Sequence, residues 1–303
     1  MIRTKGATRI RRRRHRTAED VVVDAVVYTI MAVYAVITLV PFMNVVAKAF
    51  SEEWALVSGR ITVWPVGFQI NTLRYVISSN LFTLSFQNSL LVTFAGTLVS
   101  IVVTGLAAYP LSKRRLPFRG FFMIFFIFTM LFNGGMIPTY LTMKNLKLTN
   151  TLWVLFLPGA LNCFNMLLIK NYYESLPESL EESARIDGAN NLTILVRIVL
   201  PLALPVFATV CLFTAVGLWN DYYSAMIYNT RTSVKTLPLY LRDIITDNVK
   251  DMTMVTASDD MMNILPDGVR AATIVASTVP ILVVYPFLQK YFIKGVLIGS
   301  VKG

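Results

Sequence analysis

Six long apolar runs, separated by polar segments, set the pattern of this chain. An α-helix needs about 20 predominantly apolar residues to cross the ~30 Å hydrocarbon core of a bilayer. The runs that are long enough cover residues 26–50, 88–111, 121–141, 152–169, 204–228 and 271–293. Because backbone groups inside lipid must be paired within their own segment, open sheets are excluded. The pattern therefore predicts an all-α membrane protein with six transmembrane helices.

The polar segment at residues 171–203 carries the signals of two short helices between the fourth and fifth runs. Pro177 suits a first helical turn, and the glutamates that follow it favour the positive end of a helix dipole. Gly188 is suited to end that helix, since glycine adopts positive φ without strain. A second helical stretch at residues 191–200 leads into Pro201. The segment predicts a helix–turn–helix exposed to water, with an ordinary amphipathic linker as the alternative.

Composition supports a membrane protein over a soluble domain. The chain has 303 residues, of which 55% are hydrophobic and only 15% charged, and its mean hydropathy is +0.60. Soluble domains contain about 25% charged residues. Cys163 and Cys211 lie in apolar runs, and the one histidine, His15, lies near the N-terminus. Neither a disulfide nor a metal site is therefore expected.

Basic residues account for the net charge of +11 and predict the orientation of the chain. Many of them lie at residues 1–16, and a basic tail directly before an apolar run indicates a cytoplasmic N-terminus. Residues 1–25 are therefore assigned as a basic cytoplasmic tail and residues 26–303 as the transmembrane domain. With this orientation most Lys and Arg fall in cytoplasmic segments, so both termini are predicted to be cytoplasmic. The tail is expected to meet anionic lipid rather than nucleic acid.

Two segments on the predicted outer side are long enough to form surfaces. Residues 51–85 contain Trp64 and Tyr75, which suit a wedge at the membrane interface; a plain connector and a contact with a partner protein are the alternatives. Residues 229–267 form a longer extracytoplasmic loop. It carries Asp243, Asp247, Asp251, Asp259 and Asp260 among apolar residues. Loops beyond ~15 residues are usually functional or disordered, and we expect this one to dock an external soluble protein.

A spaced pattern runs through the segment at residues 171–203. It consists of Glu182, Ser183, Ala184, Gly188, Ile198, Leu200 and Pro201, strengthened by Asp187 and Ala189. The pattern resembles the EAA loop of permease subunits in ATP-binding-cassette (ABC) importers, with Ser183 where alanine is usual. In that family the loop is a coupling helix that sits in a cleft of a cytoplasmic ATPase. The resemblance implies an ATPase-coupling site at Glu181, Glu182, Ser183, Ala184, Asp187, Gly188 and Ala189, whose small residues let the partner approach closely.

Motifs elsewhere resemble the carbohydrate branch of that family. Asn88-Ser89-Leu90, Ala107-Ala108-Tyr109-Pro110 and Trp219-Asn220 look like maltose-type importers, and the C-terminal residues 289–303 are similar to the MalG-like subunit. Residues 132–140 and 180–189 resemble the LplC/YtcP branch, which is associated with complex oligosaccharides or polysaccharide fragments. The resemblance covers nearly the whole chain after about Val21.

The resemblance implies a permease subunit of a binding-protein-dependent importer in the bacterial cytoplasmic (inner) membrane. Its expected partners are a second, MalF-like permease subunit, a cytoplasmic ATPase dimer and an extracytoplasmic sugar-binding protein. ATP and Mg²⁺ are expected to bind the ATPase, since this chain lacks the Gly-x-x-x-x-Gly-Lys-Ser/Thr pattern. The chain itself is expected to be non-catalytic and to bind no cofactor. Residues 298–303 are expected to reach the ATPase interface.

Polar and aromatic residues inside the apolar runs are the candidates for the sugar path. They are Asn133, Asn162, Asn165, Trp219, Asn220, Asp221 and Tyr222. Hydrogen bonding between helices and interfacial anchoring are the alternative roles. Gly134 and Gly135 are expected to mark a helix break rather than a ligand site.

Other functional classes are weighed against this assignment. Only the resemblance to the carbohydrate branch argues against a permease for a non-sugar solute, so this alternative remains. A membrane-embedded enzyme is disfavoured because the chain has neither a His-Glu-x-x-His nor a Gly-x-Ser-x-Gly pattern. A stand-alone secondary transporter is disfavoured because no internal repeat is evident.

Overall fold

The computed structural model describes residues 18–246 and 266–300, and these ranges are helical apart from their connections. The α-helices, numbered in chain order, are α1 Ala18–Ala49, α2 Glu53–Val57, α3 Asn71–Ser78, α4 Asn80–Ser112, α5 Arg119–Leu131, α6 Met136–Asn145, α7 Cys163–Ser175, α8 Glu178–Ile186, α9 Asn191–Ile194, α10 Leu200–Leu202, α11 Leu204–Asn220, α12 Tyr223–Tyr228, α13 Leu237–Thr246 and α14 Pro266–Ser300. Short 3₁₀ turns at Leu152–Leu155 and Thr232–Val234 and a π-helical turn at Leu195–Val199 complete the order. In the described ranges strand pairing is limited to one isolated bridge, so the expectation of an all-helical chain is confirmed there.

Helix α4 is the central element, because it packs along both α7 and α11 and reaches both ends of the molecule. Three clusters of buried side chains lie along it. Phe82 belongs to the cluster near its start, Val92 to the middle one and Ala108 to the one near its end. At 1.5 Å per residue, Phe82 and Ala108 are about 39 Å apart, close to the thickness of a bilayer with its headgroups. We name the two ends of the molecule the Phe82 end and the Ala108 end.

Glycines on α4 allow its neighbours to approach closely. A Cβ atom on Gly96 would lie 2.6 Å from Leu218 Cδ1 and 2.7 Å from Phe156 Cβ. A Cβ atom on Gly105 would lie 2.8 Å from Cζ of Phe207. Non-bonded carbon atoms do not approach this closely. At Gly96 the contact with Phe156 Cβ, next to the backbone, requires glycine, whereas at Gly105 a larger residue would displace the ring of Phe207. Small residues at helix contacts are the usual means of close packing inside membranes.

Two helices are each long and apolar enough to cross a bilayer, Glu19–Ala49 of α1 and α4 itself. Two bent pairs reach that length together: α5 with α6 at 109°, and Asn191–Leu202 with α11 at 79°. The described ranges thus contain two to four candidate spans by length and composition. The number of six spans stays a prediction.

Three of the predicted helices are interrupted. The third run divides at residues 132–135, as its glycines led us to expect, and Gly135 has φ +90° there. The fourth run becomes α-helical only at Cys163, after the turn at Leu152–Leu155 and an irregular stretch. The fifth run stops at Asn220 and resumes at Tyr223. Hydropathy indicates whether side chains suit lipid, but not whether the helical backbone hydrogen bonds are continuous. The interruptions in the fourth and fifth runs were therefore not predicted.

The ends of the chain and one loop lie partly outside the described residues. α1 begins at Ala18, so residues 18–25 of the predicted tail are helical. Residues 1–17 and 301–303 lie outside the described ranges. The same holds for residues 247–265 of the long loop, with Asp247, Asp251, Asp259 and Asp260.

Candidate functional site

Helix α8 is closed at its C-terminal end by a glycine-based cap. Gly188 has φ +86°, and its N–H donates to the carbonyl of Arg185 at 3.0 Å. The N–H of Ala189 donates to the carbonyl of Ala184 at 2.9 Å. This pair of hydrogen bonds is the Schellman motif, in which the residue after the helix adopts the left-handed conformation. The prediction that Gly188 ends the helix is confirmed.

A second helical stretch follows, so residues 178–202 form the predicted helix–turn–helix. The side chain of Asn190 accepts a hydrogen bond from the N–H of Thr193 at 2.8 Å and thereby caps α9. α9 continues through the π-helical turn into α10. The chain then bends by 79° into α11. The hairpin formed by α8 and α9 lies at the Ala108 end, where residues of both helices pack on that cluster.

The two faces of α8 differ in exposure. Ala184 and Ala189 are partly buried and pack against the cluster at the Ala108 end. Glu182, Ser183, Asp187 and Gly188 are exposed. Three apolar side chains of the hairpin are exposed as well: Leu180 at 42%, Ile186 at 87% and Leu192 at 63%. The sequence-predicted coupling residues therefore divide into an inward set and an outward set, and the outward set is accompanied by exposed apolar groups.

Glu181 belongs to the inward set and forms an ion pair with Lys113, the residue that follows α4. The Glu181 side chain is only 14% exposed, and Arg185, one turn along α8, lies 3.9 Å from it. The Lys113 ammonium is also 4.6 Å from the ring centroid of Tyr109, within the range of a cation–π contact. These contacts tie α8 to the end of α4, 68 residues earlier in the chain.

A second set of ion pairs ties α5 to α7. Glu174 accepts hydrogen bonds from Arg119, at the start of α5, and from Lys170 at 2.9 Å. The sequence assigned these basic residues and Lys113 to membrane topology alone, so their pairing with glutamates was missed. The available signal was the opposite charge of residues 113–119 and 174–182, two segments expected on the same side of the membrane.

The ion pairs border a cleft of about 470 Å³. Arg114, Arg115, Glu178 and Glu182 also contribute to its lining. The described ranges place no group of three His, Cys, Asp or Glu side chains where they would hold a metal ion. What this end of the molecule offers is a surface of mixed charge and exposed apolar side chains, which suits binding of another protein.

Two of the seven candidate path residues come together at the contact of α4, α7 and α11. The side chain of Asn162 accepts a hydrogen bond from the N–H of Asn165 at 3.0 Å and caps α7, and Asn165 Nδ2 lies 3.4 Å from Oγ1 of Thr214. With Ser100 and Phe164 these residues line a depression of about 420 Å³. The Ser100 hydroxyl is buried and has no hydrogen-bond partner among the described residues. The lining of the depression combines polar, aromatic and aliphatic side chains with two glycines and carries no charged residue.

The other five candidates do not line this depression, and the hydrogen bonds of three of them are local. Asn133 and Asp221 each accept a hydrogen bond from a backbone N–H at the start of the next helix, at 2.9 and 3.0 Å. Asn220 donates to a carbonyl one turn earlier in its own helix at 2.9 Å. Trp219 is buried, whereas Tyr222 is exposed. For Asn133, Asn220 and Asp221 the hydrogen bonds fit the structural role weighed as the alternative.

Residues 100–298 match the family described as the inner membrane component of binding-protein-dependent transport systems. The chain belongs to this family and is therefore a transport protein of the inner membrane.

Named relatives and a solved structure agree with this assignment. The chain is 43% identical to protein LplC of Bacillus subtilis strain 168 over 95% of this chain and 98% of that protein. It is 41% identical to the polygalacturonan/rhamnogalacturonan transport system permease protein YtcP of the same organism, over 92% and 98% of the two chains. A chain in the crystal structure of a bacterial ABC transporter involved in import of the acidic polysaccharide alginate superposes with a TM-score of 0.84 and 32% identity, over 91% of this chain and 98% of that chain. The family resemblance drawn from the sequence is confirmed.

The ion pair between Lys113 and Glu181 is expected to stabilise the seating of α8. Glu181→Gln and Lys113→Met should each lower the free energy of local opening of α8 by about 1–2 kcal/mol, because each leaves a half-buried charged partner unpaired. The double variant should recover about 1 kcal/mol of the summed loss. Amide hydrogen exchange of α8 measures these values. Glu178→Gln, on the same helix but exposed, should change this free energy little. Strictly additive effects of Glu181→Gln and Lys113→Met would show that the two side chains do not stabilise α8 through their ion pair.

The positive φ of Gly188 gives a second expectation. A Cβ atom at this position meets no atom within 4 Å, so any loss on substitution arises from the backbone alone. Gly188→Ala should destabilise the hairpin by about 1–2 kcal/mol, and Gly188→Asn by less, since asparagine tolerates the left-handed conformation. The rate of limited proteolysis between α8 and α9 measures the difference. Equal rates for the two variants and the parent chain would show that the cap does not depend on this conformation.

Proposed function

We propose that this chain is a permease subunit of an ATP-driven importer for oligosaccharides or polysaccharide fragments. Identity of 43% and 41% to LplC and YtcP, over nearly the full length of all three chains, carries the proposal. The name of YtcP specifies polygalacturonan and rhamnogalacturonan, and the structural neighbour takes part in alginate import. The shared feature of these cargoes is a chain of sugar units. A non-sugar solute is the alternative, and no contact in the described residues favours it.

Helix α8 serves as the coupling helix for a cytoplasmic ATPase in this proposal. Its outward face combines the acidic Glu182 with the exposed Leu180 and Ile186, and its inward face is held by Glu181 and Ala184. A partner that binds the outward face therefore pushes on a helix seated on the membrane bundle. The ATPase, not this chain, binds ATP and Mg²⁺ and hydrolyses ATP.

Movement of α8 reaches several helices at once. α7 precedes it in the chain, and α9 to α11 follow it, so these elements move through covalent connection. Lys113 carries the movement to α4, and the pairing of Glu174 with Arg119 carries it from α7 to α5. Closure of the ATPase dimer thus shifts the Ala108 end of the bundle as a unit, which couples ATP use to alternating access of the sugar path.

The directions of the helices support cytoplasmic positions for both termini. α1 ends with Ala49 in the cluster at the Phe82 end, and α14 begins with Ala271 and Ala272 in the same cluster. Both helices therefore direct their free ends away from the Phe82 end, towards the side that carries α8. α1, α4, α5 with α6, residues 152–175, residues 204–228 and α14 are the six spans of this proposal.

A second permease subunit and an extracytoplasmic sugar-binding protein complete the complex. The binding protein docks at the Phe82 end, where the described part of the long loop, residues 229–246, contains α13. This helix is fixed by the ion pair of Lys235 with Asp243 at 2.7 Å and by packing of Leu237 and Tyr240 in the cluster at that end. The docking surface has a rigid support in the membrane bundle.

The depression at Asn162 and Asn165 is this subunit's share of the sugar path. Its amides and hydroxyls match the hydrogen-bonding groups of a sugar, and Phe164 offers an aromatic face to the apolar side of a pyranose ring. The Ser100 hydroxyl beside it is buried without a hydrogen-bond partner among the described residues, so its hydrogen-bonding capacity is unused.

Reversal of charge on the outward face of α8 tests the coupling role. Glu182→Lys should abolish transport and substrate-stimulated ATPase activity in the assembled complex while membrane insertion stays normal, because the partner surface complementary to a carboxylate repels an ammonium. Glu19→Lys makes the same change at an exposed position of α1, outside the contacts proposed for the ATPase and the binding protein, and should leave both activities in place. If Glu182→Lys kept full substrate-stimulated ATPase activity, α8 would not be the coupling helix.

Substitution in the depression tests the sugar path. Asn165→Leu should raise KM for uptake about tenfold, since a hydrogen bond to the ligand contributes roughly 1–1.5 kcal/mol, while ATPase activity without substrate is unchanged. Asn220→Leu, whose amide bonds within its own helix, is the matched control and should have a smaller effect. Uptake into proteoliposomes over a range of sugar concentrations gives the KM of each variant. Equal KM values for Asn165→Leu and the parent complex would show that the depression is not part of the sugar path.

A further inference from the structure

Residues 50–70, between α1 and α3, form a hairpin folded back on the end of α1. An antiparallel bridge joins Ser51 to Phe68, and the rings of Phe50 and Phe68 stack with centroids 5.7 Å apart. Ala55 and Ile61 fill the interior and pack against Ala47 of α1. The hairpin is therefore a fixed element with its own small core, not a loose connection.

Asn44 sets the depth of this hairpin relative to a bilayer. Its Nδ2 donates to the carbonyls of Ile61 and Thr62 at 3.1 and 2.6 Å. The uncharged stretch of α1 from Ala25 to Ala47 is about 35 Å long, slightly more than the ~30 Å hydrocarbon core. Asn44 lies within one turn of the end of that stretch. The hydrogen bonds therefore hold the hairpin beside the level at which hydrocarbon gives way to headgroups.

The outer surface of the hairpin has the composition of an interface with lipid. Its exposed apolar side chains are Trp54 at 52%, Val57 at 74%, Trp64 at 75% and Phe68 at 71%. The charged Glu52 and Arg60 are exposed between them. Tryptophan rings and mixed polar groups of this kind are enriched where a protein crosses the headgroup layer, because the ring is apolar and its N–H needs a partner.

This surface continues the exposed surface of α1. Only 6% of the most apolar window of that helix is buried within the chain, and Tyr34 near its middle is 70% exposed. The depth set by Asn44 excludes a soluble protein, which approaches from the water beyond the headgroups, and leaves lipid or the second permease subunit as the occupant. The exposed tryptophans, with Glu52 and Arg60 near them, match the apolar and charged groups of the headgroup layer, so lipid is the occupant to which this inference commits.

We propose that the hairpin at residues 50–70 lies in the headgroup layer, binds phospholipid directly and fixes the height of α1 in the bilayer. It acts as an interfacial wedge that keeps the C-terminal end of α1 at constant depth while the opposite end of the bundle moves. This role is independent of the cargo and of the ATPase contact.

Photo-crosslinking in the assembled importer tests the proposal. Trp64 is replaced by p-benzoylphenylalanine, and the complex is irradiated in vesicles of phosphatidylethanolamine and phosphatidylglycerol. Trp64 is not part of the hairpin core, so this exchange leaves the fold in place. Mass spectrometry should find phospholipid adducts several-fold more abundant than protein adducts, and the same is expected at Val57. The proposal would be overturned if protein adducts predominated, or if neither position gave lipid adducts.

The same probe at Ile186 separates this inference from the transport mechanism. Ile186 is more exposed than Trp64 but lies on the outward face of α8, where the coupling role predicts adducts with the ATPase. Lipid adducts at Trp64 without ATPase adducts at Ile186 would support the hairpin and contradict the coupling helix. The reverse pattern would support the coupling helix and reject the hairpin.

Discussion

Backbone hydrogen bonding at the helix breaks is the constraint on which the rest of this structure depends. A break inside a membrane-embedded bundle frees N–H groups that lipid cannot satisfy. Short polar side chains satisfy them here: Asn133 before α6, Asn162 before α7 and Asp221 before α12 each accept a hydrogen bond from a backbone N–H. Asn190 does the same before α9. The first three caps let the chain change direction within apolar runs, and these bends place the depression at the contact of α4, α7 and α11. The cap at Asn190 shapes the hairpin of α8 and α9.

The helix–turn–helix at the Ala108 end joins local and long-range order. The Schellman cap at Gly188 shapes α8 from its own sequence, whereas the seat of α8 is built from distant parts of the chain. Tyr109 of α4, Met166 of α7 and Phe207 of α11 share one buried cluster beneath it. Because the ion pair of Glu181 with Lys113 lies at the edge of that cluster, a force applied to α8 meets packed side chains and paired charges, not a flexible loop.

The sequence predicted these features unequally, for physical reasons. The helix–turn–helix was predictable because Pro177, Gly188 and the glutamates act within a few residues of one another. The ion pairs were not, since Lys113 and Glu181 meet only after α4 and α7 have packed. Apolar content predicted where the chain suits lipid but not that the fourth run becomes helical only at Cys163. The same limit applies to Asn162 and Asn165, which the sequence proposed singly and which the fold brings together.

Exposed apolar side chains in this chain have two different environments. On α1 they occur on all sides of a helix whose most apolar window is only 6% buried, with no charged residue from Ala25 to Ala47, so hydrocarbon satisfies them. On α8 Ile186 is 87% exposed on a helix that is otherwise polar and charged. Lipid does not cover a helix whose outward face also carries Glu182 and Asp187, because burying those charges in hydrocarbon costs more than burying isoleucine gains. The ATPase proposed as the partner of α8 would satisfy both groups, with apolar contact for Ile186 and polar partners for the carboxylates.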